Sequence, residues 1–278
     1  MMDFLPLVTG AIGGATSAGV FKGPLQTLND LWFNYFGQQT HEKRLKYEAL
    51  IETNTEKYKQ EIALAISKID PNNIKEPALN ILGPTLEASK FYISDEEIQK
   101  MFANLLASSM DKTKDTIVHN SFVELIKQLS PLDAQNLMLL KIHTQLPIAE
   151  VRAKTTSNPG GYQTLITNFF LDNTSVTDIN VIGSSVDNLR RLGLVNITYT
   201  EYLVSLNDSD DSENLYSKFE TSEVFTKMKT MIQTAHSTTP SEGTTPFLDA
   251  YAELREPEIM RGIIKLTPFG TNFCNICI

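Results

Sequence analysis

Few side chains in this chain have the type and spacing that chemistry needs. The four histidines, His41, His119, His143 and His236, lie far apart, and no two sit at a metal-ligand spacing. Cys274 and Cys277 form one C-x-x-C pair with no second pair and no strand-turn-helix context around it. With Phe273, Ile276 and Ile278 beside them, they read as packing residues of a terminal helix. Asp95, Glu96 and Glu97 bring three carboxylates together, but directly after Ser94 they read as a helix cap and an acidic first turn that complements the helix dipole. No nucleophile-elbow, Walker or kinase pattern is present, and no motif places a serine, a histidine and an aspartate together. The expectation is a protein that is not an enzyme, with no catalytic residues, no cofactor and no metal.

The glycines offer another possibility. Gly10, Gly13 and Gly14 lack the spacing of a phosphate-cradling loop, and no Gly-Lys-Ser/Thr follows them. Gly10 and Gly14 are four residues apart, as are Ala15 and Gly19. On a helix that spacing lets two backbones approach closely. From Phe4 to Phe21 there are 18 uncharged residues in a row, near the lower limit for a membrane span. The early charge is Asp3, so a secretory signal, which needs a positive start, is not expected. Leu28, Leu31, Trp32, Tyr35 and Phe36 then fall at helical spacing. Together with Phe33 they supply the aromatic side chains that favour a membrane-water boundary, and Lys43, Arg44 and Lys46 follow as a basic flank. Residues 1–36 therefore read as an element for membrane association or self-association. A helix buried under the protein's own core fits the same pattern.

These candidates sit among recognisable elements. The chain has 278 residues, enough for two domains, and its apolar content of 41% is ordinary for a folded protein. The net charge of −9 is spread over both halves, −6 of it from Ser130 onward, which argues against broad nucleic-acid binding. Two cysteines, both near the C-terminus, fit a reducing compartment. The spacing predicts a long helix over 38–69, a turn at Asp70-Pro71-Asn72-Asn73, and a second helix kinked at Gly83-Pro84. Ser94 with Glu97, and Ser121 with Glu124, predict capping boxes, and Ser130-Pro131 opens another helix. Asn158-Pro159-Gly160-Gly161 predicts a turn, and Tyr162, Leu165, Ile166, Phe169 and Phe170 follow at helical spacing. Ser184 or Ser185 would cap a helix ending at Gly193, with strands over 194–206 and 262–266 and a last helix after Thr267-Pro268. A helical body over 37–129 is thus expected, followed over 130–278 by a winged-helix-like α+β module with an insertion at about 207–260. The fold class so read is mainly α. If that module met DNA, Arg190 and Arg191 would be its contacts.

Two stretches carry a family resemblance. One is Ile98-Gln99-Lys100-Met101-Phe102-Ala103-Asn104-Leu105-Leu106-Ala107 after its acidic cap. The other runs from Val118-His119-Asn120-Ser121-Phe122 through Leu129-Ser130-Pro131-Leu132-Asp133-Ala134, and Leu266-Thr267-Pro268-Phe269-Gly270 fits the usual end. The chain resembles the abortive infection alpha family of bacterial and prophage proteins from about Lys22 to its C-terminus. Phe102 stands where that family often has tryptophan. The resemblance implies antiviral defence, in which an infected cell stops growing or dies before the phage matures. It carries no catalytic residues with it. The expected partners are a phage-derived trigger protein, further copies of the chain in a homo-oligomer, and the inner membrane, with nucleic acid disfavoured. The expected location is the bacterial cytoplasm, with the N-terminal element peripheral to or inserted in the inner membrane. A DNA-binding regulator and a soluble protein-protein adaptor are the alternative functions.

Overall fold

The computed structural model describes residues 4, 6–8, 18–36, 44–156, 161–204, 212–237 and 251–278. They form two compact units, one of Met1–Ala134 with Pro268–Ile278 and one of Gln135–Thr267. The last helix, which the sequence reading placed in the C-terminal module, therefore belongs to the first unit.

The first unit is helical: α1 (Ala18–Phe36), α2 (Arg44–Ser67), α3 (Leu79–Ser89), α4 (Glu96–Ser109), α5 (Phe122–Ile126), the start of α6 (Pro131–His143), and α10 (Pro268–Cys277). Its core is α4, whose Ile98, Met101, Phe102, Leu105 and Leu106 are all buried, with α2, α3, α5 and α10 packed around it. The helix starts one residue later than the expected cap. Asp95, not Ser94, is the N-cap, and its carboxylate accepts from the Ile98 N–H at 3.2 Å. Ser121 does not cap α5; its hydroxyl and N–H both turn to His119 Nδ1, at 2.7 and 3.1 Å. A reciprocal cap stands instead at α6, where Asp133 accepts from the Ser130 N–H at 2.7 Å and Ser130 Oγ from the Asp133 N–H at 3.2 Å.

The second unit corrects the expected fold class. It contains a four-stranded antiparallel sheet in the order β2-β1-β4-β3, built from β1 (Gln145–Thr155), β2 (Tyr162–Phe169), β3 (Val195–Thr198) and β4 (Leu254–Leu266). The protein is mixed α/β, not mainly α, and the sheet is not the wing of a winged helix. β3 and β4 do pair, Val195 with Leu266 to Thr198 with Ile263, but that four-residue ladder is one edge of the sheet. The main partner of β4 is β1, from Gln145 opposite Lys265 to Thr155 opposite Leu254.

The expected helix at Tyr162–Phe170 is strand β2, and a bulge explains the misreading. Ala149 pairs with Phe169 and Val151 with Ile166, so β2 carries one extra residue there. Ile166 and Phe169 reach the same face although they are three apart, the separation a helix would give. Asn168 sits in the bulge with φ +49, a conformation asparagine tolerates better than most residues.

Among the described residues this unit also contains α7 (Ile179–Arg191), α8 (Ser212–Glu220) and α9 (Glu223–Ser237), with most of α6. Ala149, Val151 and Phe169 on one sheet face pack with Tyr216, Phe219 and Phe225 of α8 and α9. α7 packs against β2 and β3. Its cap is Asp178, which accepts from the Asn180 N–H at 2.9 Å; Ser185 lies inside the helix and accepts from the buried Asn136 amide at 2.9 Å. α7 ends at Gly193 as expected. The glycine has φ +72, the Leu194 N–H reaches Leu189 O, and its own N–H reaches Arg190 O, each at 3.0 Å.

Candidate functional site

Gly10, Gly14 and Ala15 lie outside the described residues. Gly19, Phe33, Tyr35 and Phe36 are on α1, where only the helical backbone is described. Trp32 is the candidate whose side chain has a defined setting. Its indole meets the Phe4 ring edge-on at 5.2 Å and the Tyr58 ring at 5.8 Å. Phe4, Val8, Leu25 and Leu28 are buried with them, and the Phe4 N–H donates to Asn29 Oδ1 at 3.1 Å. Residues on both sides of the glycine-rich stretch thus pack within the first unit.

A cation lies inside this aromatic cluster. Lys59, on α2, is only 3% exposed. Its ammonium stands 4.8 Å from the Phe4 ring centroid and 5.8 Å from that of Trp32. Ring faces attract cations through their quadrupole, and the attraction strengthens when water is excluded. Neighbouring Tyr58 is fully buried, and burial pushes its phenol well above the ordinary tyrosine range, against a smaller lowering by the Ser89 hydroxyl. Lys59 gave no signal of its own in the sequence, because one lysine on a helix rich in Glu, Lys and Gln looks solvated.

The family-like stretches meet in space. Phe122, from the second stretch, packs against Phe269 at 5.5 Å and Phe273 at 5.2 Å, and His119 lies edge-on to Phe269 at 5.9 Å. Asn104, from the first stretch, donates its side-chain amide to Cys277 O at 3.1 Å, and Ser108 donates to Ile276 O at 3.2 Å. Cys274 and Cys277 are buried and unbridged. These residues join the two ends of the first unit. His119, which is exposed, and Ser121, which is half-buried, touch, and the contact organises the turn before α5.

The second unit holds a polar cluster that sequence reading missed. The Tyr199 hydroxyl donates to Asn168 Oδ1 at 3.1 Å and accepts from the Asn168 N–H at 3.3 Å, while the Asn168 amide donates to Asp187 Oδ1 at 2.6 Å. Burial and the nearby Glu150 carboxylate push the Tyr199 phenol well above its usual range; the Asn168 N–H, Arg190 and other neighbours modify this less. Gly262 makes room for the ring: a Cβ there would stand 2.5 Å from Tyr199 Cδ1 and 2.6 Å from Thr198 O. Beside this, Arg152 donates from Nε to Glu150 Oε2 at 2.7 Å and stacks on Tyr162 at 4.5 Å. The Tyr199 hydroxyl donates to Asn168, so the arrangement braces the bulge. The signal available for it was the alternation of Glu150, Arg152 and Lys154 with Ala149, Val151 and Ala153.

Arg190 and Arg191 are exposed in the last turn of α7, where cations complement the helix dipole. The Arg191 guanidinium is held on Asn188 Oδ1, at 2.7 Å from one terminal nitrogen. Among the described residues no group of three or more metal-ligating side chains gathers, and no helix is long and apolar enough to cross a membrane.

Comparison with known proteins matches no curated protein and no solved structure. The family model described as abortive infection alpha matches residues 51–277, most of the chain, and begins after the glycine-rich segment and α1. The protein belongs to the abortive infection alpha family.

Proposed function

We propose that this protein defends a bacterial cell by abortive infection and that it works without an active site. A phage component, sensed by the helical unit or the sheet-bearing unit, triggers it. The N-terminal element, residues 1–36, then associates with the inner membrane or with other copies of the chain, and the resulting damage stops the infected cell. The family match over residues 51–277 carries the defence reading. The small-residue spacing of Gly10 with Gly14 and of Ala15 with Gly19 supports the effector step, since it suits close backbone contact between helices.

The test is infection of a bacterial culture producing the protein, at more than one phage per cell. Phage should adsorb normally, the cells should stop growing or die early, and few progeny should be released. Surviving cells with blocked phage entry, or a normal burst, would contradict the reading.

A further inference from the structure

We propose that Arg261, in the sheet-bearing unit, receives a carboxylate from outside the chain, carried by a small organic acid or by an acidic side chain of another protein. Arg261 lies on β4 and is half-buried. Its guanidinium carbon stands 5.6 Å from the Tyr216 ring centroid and 6.0 Å from that of Tyr202. Tyr216 is fully buried and fixed, since its hydroxyl donates to Gly262 O at 2.7 Å and accepts from the Leu203 N–H at 3.0 Å. Tyr202 is 53% exposed, so this side of the guanidinium borders solvent. Ring faces stabilise the positive charge, but they do not offer the oxygen acceptors that the planar fork of N–H donors matches. Among the described residues the guanidinium has these two ring contacts and neither a hydrogen bond nor an ion pair. Glu258, on the same strand, is engaged by Lys154 at 3.2 Å, and the alternation of the strand sends it to the opposite face.

The same unit shows how such a group is completed. Arg152 is half-buried, stands 4.5 Å from the Tyr162 ring and has the Glu150 carboxylate on its Nε at 2.7 Å. Lys218 is half-buried, stands 5.4 Å from the Phe219 ring and has the Asp172 carboxylate at 2.7 Å. Lys229 stands 5.3 Å from the Phe225 ring with no carboxylate among the described residues, but a lysine's flexible stem carries its ammonium to water. Arg261 has the cation and two rings and is completed by a carboxylate that meets the guanidinium in its plane, with the carbon beside it against the exposed Tyr202 ring. A phosphate dianion also fits the fork, but the chain's net charge of −9 disfavours the second negative charge.

The test titrates the full chain at low ionic strength with four probes: acetate, the blocked peptide acetyl-Gly-Glu-Leu-Gly-amide, its glutamine counterpart and inorganic phosphate. Sodium chloride at matched concentration is the reference. Affinity is read from saturation transfer to the probe by NMR, which serves every variant, and amide spectra check that each variant is folded. Acetate and the glutamate peptide should bind, and the glutamine peptide should not. Arg261→Gln and Arg261→Lys should each weaken binding roughly tenfold, the second because an ammonium lacks the fork. Tyr202→Ala should weaken it roughly threefold. Lys265→Gln, further along β4, should leave it unchanged.

Tighter binding of the glutamate peptide than of acetate identifies an acidic protein segment as the source of the carboxylate, and equal affinity identifies a small acid. Absence of binding, equal binding of the glutamine peptide, or an equal loss in Lys265→Gln would overturn the site. Tighter binding of phosphate would overturn the carboxylate assignment. Asp208, Asp210 and Asp211 follow Tyr202 closely in the sequence. If Asp208→Asn with Asp210→Asn and Asp211→Asn strengthens acetate binding roughly tenfold, the carboxylate comes from within the chain and the external ligand is overturned. Unchanged acetate binding in that triple variant supports the site as proposed.

Discussion

The aromatic cluster of the first unit and the hydrogen-bonded cluster of the second enclose polar groups in opposite ways. Around Lys59 the described contacts include the Phe4 and Trp32 rings, which attract a charge weakly and from many directions. Around Asn168 the neighbours are a phenol and a carboxylate at fixed hydrogen-bond distances, with the tyrosine ring seated on a glycine. The first arrangement tolerates displacement. The second requires every partner at once, because a buried polar group left unpaired costs more than the bond contributed.

Substitutions can break this contrast. The largest effect is expected at Gly262→Ala, since the new methyl would meet the Thr198 carbonyl and the Tyr199 ring well inside contact distance. Denaturant titration should show a loss of about 3 kcal/mol. Trp32→Ala should cost less, about 2 kcal/mol by the same titration, because the indole is half-buried. Tyr199→Phe removes one hydroxyl and strands both Asn168 groups; about 1–2 kcal/mol should be lost.

The smallest effect has the opposite sign. Thr85 is fully buried, and its hydroxyl has no hydrogen-bond partner. It lies on α3 one turn before Ser89, whose hydroxyl donates to Leu86 O at 3.0 Å. Thr85→Val keeps the shape and removes the unpaired hydroxyl, so it should raise stability by about 1 kcal/mol. A loss instead would show that the Tyr58 side of the first unit is as exacting as the Tyr199–Asn168–Asp187 cluster of the second.

The helices were largely legible in the sequence because their signals are local. The α4 and α6 starts, the Gly193 stop of α7 and the aromatic-apolar spacing of α1 each depend on residues within a turn or two. The caps were displaced where two candidates compete, as with Ser94 and Asp95, or where a serine has a distant partner, as Ser185 has in Asn136. The sheet was less legible because its pairing is long-range. β1 pairs with β4 across more than one hundred residues, and the bulge at Asn168 gave β2 a helix-like period. The Tyr199–Asn168 cluster and the Lys59 cluster join residues far apart in sequence. Tyr199 meets Asn168, and Phe4 meets Lys59, only once the fold has formed.

The most direct test of the central claim uses infected cells. Cells producing the wild-type protein and cells producing the double variant Gly10→Leu with Gly14→Leu, at equal protein levels, would be infected and their progeny counted per cell. The proposed effector role predicts few progeny from the first and a full burst from the second, because bulk at both positions prevents close helix contact. Equal suppression of progeny by both proteins would contradict it.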